Sequence, residues 1–168
     1  MKRNINKVAI IGSGIMGSSI ACHFANIGVN VLLLDIVPTK LSNEEIEKGI
    51  NEKDKIFRNK IVSSSLNKTI KSKPSPLYNK KFRERIEIGN LEDDIEKVET
   101  ADWIIEVVIE KIEIKNDVFE KLDKYRKKGS LISSNTSGIP INSMIKNRSE
   151  DFCDNFCGTH FFNPPRYL

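Results

Sequence analysis

Two stretches of this chain hold residue types that could do chemistry. The first is a glycine turn. Gly12, Gly14 and Gly17 fall in the run GSGIMG, a G-x-G-x-x-G pattern. Gly12 permits a tight turn off a strand. Gly14 lets the backbone approach a pyrophosphate with no Cβ in the way, and Gly17 lets the following helix pack against the strand. The first helical N–H groups, those of Ile15 and Met16 among them, have no intrahelical partner and sit at the positive end of the helix dipole, so they suit phosphate oxygens. Eighteen residues after Gly17 stands Asp35, closing the apolar run VNVLLL. An acid at that place accepts hydrogen bonds from adenosine ribose hydroxyls and repels a 2′-phosphate, which favours NAD over NADP. Lys40, close by, tempers that preference.

The second stretch lies near the C-terminus, where Cys153, Cys157 and His160 stand four and three residues apart. Such spacing resembles part of a metal site, but a fourth ligand is not evident and the segment reads partly as strand, so no metal is expected. Histidine titrates near neutrality and can take a proton from an alcohol. A lone histidine at a strand end is, on these grounds alone, more often structural. His23, beside Cys22 on the first helix, reads as structural. Three cysteines, an odd number, argue for reduced thiols and a cytoplasmic protein.

Stepping outward, the elements that must position these groups alternate. KVAII at Lys7–Ile11 is a short β-branched run of the kind buried in parallel sheets. Residues 15–27 carry apolar positions at helical spacing, closed by Gly28, and 29–34 form a second strand. Strand, glycine turn, helix and strand make a βαβ unit. Residues 41–73 are charged and predict two or so helices, the first capped by Ser42 or Asn43. The run KPSPLYNKKFRER predicts a loop, 86–88 a short strand and 92–98 a helical turn. WIIEVVI at 103–109 predicts a buried strand with Trp103 in the core. Residues 111–126 predict an amphipathic helix with Ile114, Val118, Phe119 and Leu122 on one face. A short strand at Leu131 and Ile132, a brief helix over 139–145 and a last strand over 155–161 complete the series. This alternation predicts an α/β fold with a doubly wound, mostly parallel sheet, the three-layer Rossmann arrangement.

The chain has 168 residues, 39% of them hydrophobic and 30% charged, which suits one compact NAD-binding domain over 1–168 rather than a disordered segment. A net charge of +4, dispersed along the chain, gives no reason to expect nucleic acid as a partner. The start MKRNINKVAIIG runs directly into the glycine turn and is not a signal peptide, and no apolar run reaches membrane-spanning length. The last residues, HFFNPPRYL, break off where an apolar segment has just begun, which predicts a boundary inside a longer protein.

Five blocks, VAIIGSGIMGSSIA, VLLLD, ADWIIEVVIEKIEIK, SSNTSGIPI and GTHFFNPPRYL, together resemble the 3-hydroxyacyl-CoA dehydrogenase family. The long charged insert and the ending NPPRYL resemble the subfamily in which this domain begins a larger chain, with a helical dehydrogenase domain and often an enoyl-CoA hydratase domain after it. The resemblance implies that His160 is the base that removes the 3-hydroxyl proton and that Ser137 hydrogen-bonds the substrate oxygen. It places Asn135 near the cofactor, Glu110 and Lys115 at the nicotinamide ribose, and Asn163 beside the nicotinamide ring. It implies an acyl-CoA substrate, fatty-acid β-oxidation, a homodimer at full length, and a glutamate partner for the histidine further along than this chain reaches. It also makes the basic segment from Lys68 to Arg85 a candidate contact for coenzyme A phosphates. Two other readings stay open: another β-hydroxyacid dehydrogenase on the same fold, and a non-catalytic NAD-binding module. GxGxMG suits the former, but HFFNP suits it poorly.

Overall fold

The computed structural model describes residues 3–166. Six strands form one wholly parallel sheet: β1 (Lys7–Ile11), β2 (Asn30–Asp35), β3 (Ile86–Asn90), β4 (Trp103–Glu106), β5 (Leu131–Ser134) and β6 (Phe156–Gly158). Their spatial order is β3-β2-β1-β4-β5-β6, so the chain works outward from β1 to one edge and then returns to start the other half at β4. This is the doubly wound order predicted from the alternation, with its reversal between β1 and β4.

Alternation along each strand sends side chains to two separate cores. Val8 and Ile10 of β1 join a cluster with Ile20, Ala21 and Phe24 of α1 (Ile15–Asn26) and Val62 and Leu66 of α4 (Lys60–Ile70). Ala9 and Ile11 face the other way, toward Val118, Phe119 and Leu122 of α5 (Ile112–Tyr125), Met144 of α6 (Ile141–Met144) and Phe152 of α7 (Glu150–Asp154). Helices therefore cover both faces, giving three layers. Gly28, with φ +92, closes α1 from a backbone region that side chains avoid.

Between β2 and β3 the charged segment folds into α2 (Asn43–Glu47), α3 (Lys55–Arg58) and α4, one more helix than the composition suggested. Ser42 caps α2, and its N–H donates to the Glu45 carboxylate at 2.8 Å. The segment read as loop holds a 3-10 turn at Lys80–Arg85, anchored where Arg85 Nη1 donates to the Ala25 carbonyl at 2.5 Å.

Two strands stop earlier than predicted. β4 ends at Glu106 rather than Ile109, because the Val108 N–H is taken by the Glu106 carboxylate at 2.7 Å. β6 ends at Gly158 rather than Phe161, because the Phe161 N–H is taken by the Asn135 side chain at 2.8 Å. Trp103 is only partly buried. Its ring packs edge-on against Phe24 at 5.5 Å, and its Nε1 donates to Ser133 Oγ at 2.9 Å. Tyr167 and Leu168, which close the last of the five blocks, lie outside the described residues.

Candidate active site

At the C-terminal ends of β1, β4 and β5 a groove of about 520 Å³ opens. Gly14, Ile15 and Met16 form one wall; Asn135, Ser137, His160 and Asn163 stand on the other. The fold thus brings together both halves of the sequence-predicted site, which are separated by more than a hundred residues in the chain.

The glycine wall is built as its chemistry requires. Gly12 has φ +101, and a Cβ there would lie 2.7 Å from the Val107 carbonyl oxygen. A Cβ on Gly17 would lie 1.8 Å from the Gly12 carbonyl oxygen. Gly14 is different: nothing stands within 4 Å of the place its Cβ would take. That space lies directly before the first turn of α1, which carries no acidic side chain to offset its positive end. A pyrophosphate fits such a cradle.

Asp35, half-buried at the end of β2, is held by that same turn. Its Oδ2 accepts the Ser13 N–H at 2.6 Å and the Ser13 hydroxyl at 2.5 Å, and its Oδ1 accepts the Ile36 N–H at 2.7 Å. One lone pair of Oδ1 remains in the carboxylate plane for an incoming hydroxyl. The sequence pattern assigns Ser13 no role. A hydroxyl-bearing residue beside a turn that must meet an acid was the available signal.

On the opposite wall, Ser137 is exposed in the turn that follows β5. Glu110 Oε1 accepts the Thr136 hydroxyl and the N–H groups of Ser137 and Gly138, the latter two at 3.1 Å. Burial alone would raise the Glu110 carboxyl. The Thr136 and Gly138 hydrogen bonds and the Lys115 ammonium outweigh it and bring the group down to about 2. His160 stands exposed, its ring edge-on to Phe162 at 4.9 Å. The neighbouring Phe161 packs inward against Trp103, Phe24 and His23. This gives His23 the structural role expected of it. The segment's backbone is pinned by the bond from Phe161 N–H to Asn135 Oδ1. Asn135 therefore links the Ser137 turn to the His160 segment.

Lys115 is not on the groove wall. Its side chain is 1% exposed, and its Nζ lies 2.7 Å from Glu106 Oε1 and 3.2 Å from Glu110 Oε2. Glu106, fully buried at the end of β4, was not singled out by sequence reading, although a lone acid inside WIIEVVI signals a carboxylate that needs a buried partner. Among the described residues no group of three or more His, Cys, Asp and Glu side chains is placed to hold a metal, and no helix is long and apolar enough to cross a membrane.

Comparison with known proteins shows the family to which the chain belongs. A family model described as "3-hydroxyacyl-CoA dehydrogenase, NAD binding domain" matches residues 7–168. The chain is 52% identical over its whole length to a Bacillus subtilis protein named "Probable 3-hydroxyacyl-CoA dehydrogenase", of which it covers 21%. It is 32% identical to a glyoxysomal fatty acid beta-oxidation multifunctional protein of Brassica napus, with 99% of this chain and 20% of that protein aligned. Among solved structures, the (S)-3-hydroxybutyryl-CoA dehydrogenase of Ralstonia eutropha superposes with a TM-score of 0.65 at 29% identity, covering 96% of this chain and 50% of that one. The chain thus spans half or less of each of these proteins.

Proposed function

Because the chain belongs to the 3-hydroxyacyl-CoA dehydrogenase family, whose NAD-binding domain it carries, we propose that within a longer protein it oxidises a (3S)-3-hydroxyacyl-CoA to the 3-oxoacyl-CoA, as a step of fatty-acid β-oxidation. The observation that carries this reading is one groove with two walls, a phosphate cradle at Gly14 on one and the pair Ser137 and His160 on the other.

The α1 N-terminus and Asp35 would hold NAD, with Glu110, Asn135 and Asn163 toward its nicotinamide end. When bound, NAD supplies the hydride acceptor. His160 takes the proton from the 3-hydroxyl, and its exposed place at the groove mouth lets it pass that proton to solvent. The Ser137 hydroxyl donates to the same oxygen as it becomes a carbonyl. The turn around Ser137 is fixed by Glu110, so the donor is oriented before substrate arrives. Lys68, Lys71 and Lys73, exposed at the end of α4 and just beyond it, are the candidate contacts for coenzyme A phosphates.

The test is the longer protein assayed with (S)-3-hydroxybutyryl-CoA and NAD by absorbance at 340 nm. Turnover that falls by at least about a thousandfold in His160→Gln, with NADH affinity retained, supports the reading. Turnover unaffected by His160→Gln would overturn the assignment of the base.

A further inference from the structure

We propose that Trp103, Ser133 and Thr159 are positioning residues, a hydrogen-bonded link that runs from β4 through β5 and holds the segment carrying His160. The inference rests on the reading of His160 as the base.

The base stands where the sheet gives out. β6 is three residues long, and its pairing with β5 closes where the Thr159 N–H donates to the Ser134 carbonyl at 3.0 Å. The imidazole of His160 is exposed and meets Phe162 edge-on at 4.9 Å. Its place in the groove is therefore set through its two chain neighbours, Thr159 and Phe161.

Both neighbours lead to one indole. On the Thr159 side the connection is polar. Ser133, fully buried in β5, accepts Trp103 Nε1–H at 2.9 Å and the Thr159 hydroxyl at 2.9 Å, which fills both lone pairs of its Oγ. In register with Ser133 stand Ile105 of β4 and Cys157 of β6, a layer in which a hydroxyl without partners is costly. On the Phe161 side the connection is aromatic. Phe161 lays its ring against the same indole, with centroids 6.5 Å apart and planes at 33°. Phe24 of α1 packs edge-on to both rings, at 5.5 Å and 6.1 Å. Thr159 and Phe161 are thus both referred to Trp103, and His160 between them lines the groove. Releasing Thr159 lets the base drift relative to the hydroxyl it must reach. Small misplacements of a reacting group lower a rate far more than they lower affinity for a cofactor held elsewhere.

Two near-isosteric substitutions in the longer protein test this. Thr159→Val keeps the shape and deletes the hydroxyl; Thr159→Ser keeps the hydroxyl and deletes a methyl group. With (S)-3-hydroxybutyryl-CoA, Thr159→Val is expected to lower kcat at least about tenfold, while KM and NADH affinity change by less than about threefold. Thr159→Ser is expected to keep kcat within about threefold of the unaltered protein. Ser133→Ala is expected to match Thr159→Val, and the pair to fall little below either alone, because both break one link. In the His160→Gln background Thr159→Val is expected to add less than about twofold. Hydrogen exchange at residues 158–162 is expected to quicken in Thr159→Val and not in Thr159→Ser. The reverse order, with Thr159→Ser impaired and Thr159→Val active, would make the site one of packing alone and overturn the proposal. So would full additivity with His160→Gln, or unchanged exchange at 158–162. If Thr159→Val does not fold, Trp103→Phe, which keeps an aromatic ring and removes the N–H, carries the same expectations. If His160→Gln leaves turnover intact while exchange still responds to Thr159→Val, the reading of the base fails and the link stands.

Discussion

Asp35 Oδ2 accepts two hydrogen bonds from the single residue Ser13, one from the backbone at 2.6 Å and one from the hydroxyl at 2.5 Å. The second residue of the glycine turn thus aims the acid proposed to select the cofactor. Ser13→Ala removes one donor and leaves the other. A hydrogen bond to a charged group is worth about 1.5–3 kcal/mol, part of which water restores at a half-buried site. NADH affinity is therefore expected to fall by about three- to tenfold in fluorescence titration, with discrimination against NADPH retained. Asp35→Asn is expected to lose that discrimination.

The three glycines of the turn separate by what lies in front of them. Gly17→Ala drives a methyl group into the Gly12 carbonyl, at 1.8 Å, and is expected to cost about 3 kcal/mol or more. Gly14→Ala meets only open space, so its melting temperature is expected to move by less than about 3 °C. The methyl group would nevertheless occupy the phosphate cradle, and NADH affinity is expected to drop at least about tenfold. Calorimetric melting and NADH titration of the two variants distinguish scaffold from site. Equal loss of stability in both would refute the distinction.

Glu110 is held down to about 2, below the ordinary value near 4.3. A carboxylate depressed by folding stabilises the native state fully above that ordinary value and loses its contribution as pH falls toward the native value. The melting-temperature gap between the unaltered protein and Glu110→Gln is expected to be flat from neutrality down to about pH 5 and to close between about pH 4.5 and 2. A gap unchanged at low pH would mean that Glu110 contributes by shape rather than charge.

Cys22 is fully buried in α1, and burial pushes its thiol up to about 12. The thiolate is the reactive form, so Cys22 is expected to resist alkylation at pH 8 while the partly buried Cys153 is modified, with Cys157, whose thiol burial also raises, reacting more slowly than Cys153. Peptide mass analysis, before and after unfolding in urea, reads this directly.

Legibility in the sequence followed the range of the forces involved. The β1–α1–β2 unit was readable nearly to the residue, because glycine conformation, helical spacing and β-branched runs act locally. The end of β4 was misjudged because Glu106 turns back onto Val108 N–H, a competition between side chain and ladder that composition does not display. The end of β6 was misjudged for a similar reason, with the competing acceptor on Asn135, 26 residues away. The burial of Lys115 between the Glu106 and Glu110 carboxylates was not legible. Only the packing of α5 against the end of β4 brings those charges together.

The reversal of the sheet between β1 and β4 has a bearing on descent. The residues argued to select the cofactor, from Gly12 to Asp35, lie wholly in the first crossover, and those argued to perform the reaction lie after Trp103. The two halves adjoin at Gly12, where a Cβ would lie 2.7 Å from the Val107 carbonyl oxygen. Preference between dinucleotides and preference between substrates can therefore drift under separate selection, as heritable traits that a lineage changes one at a time.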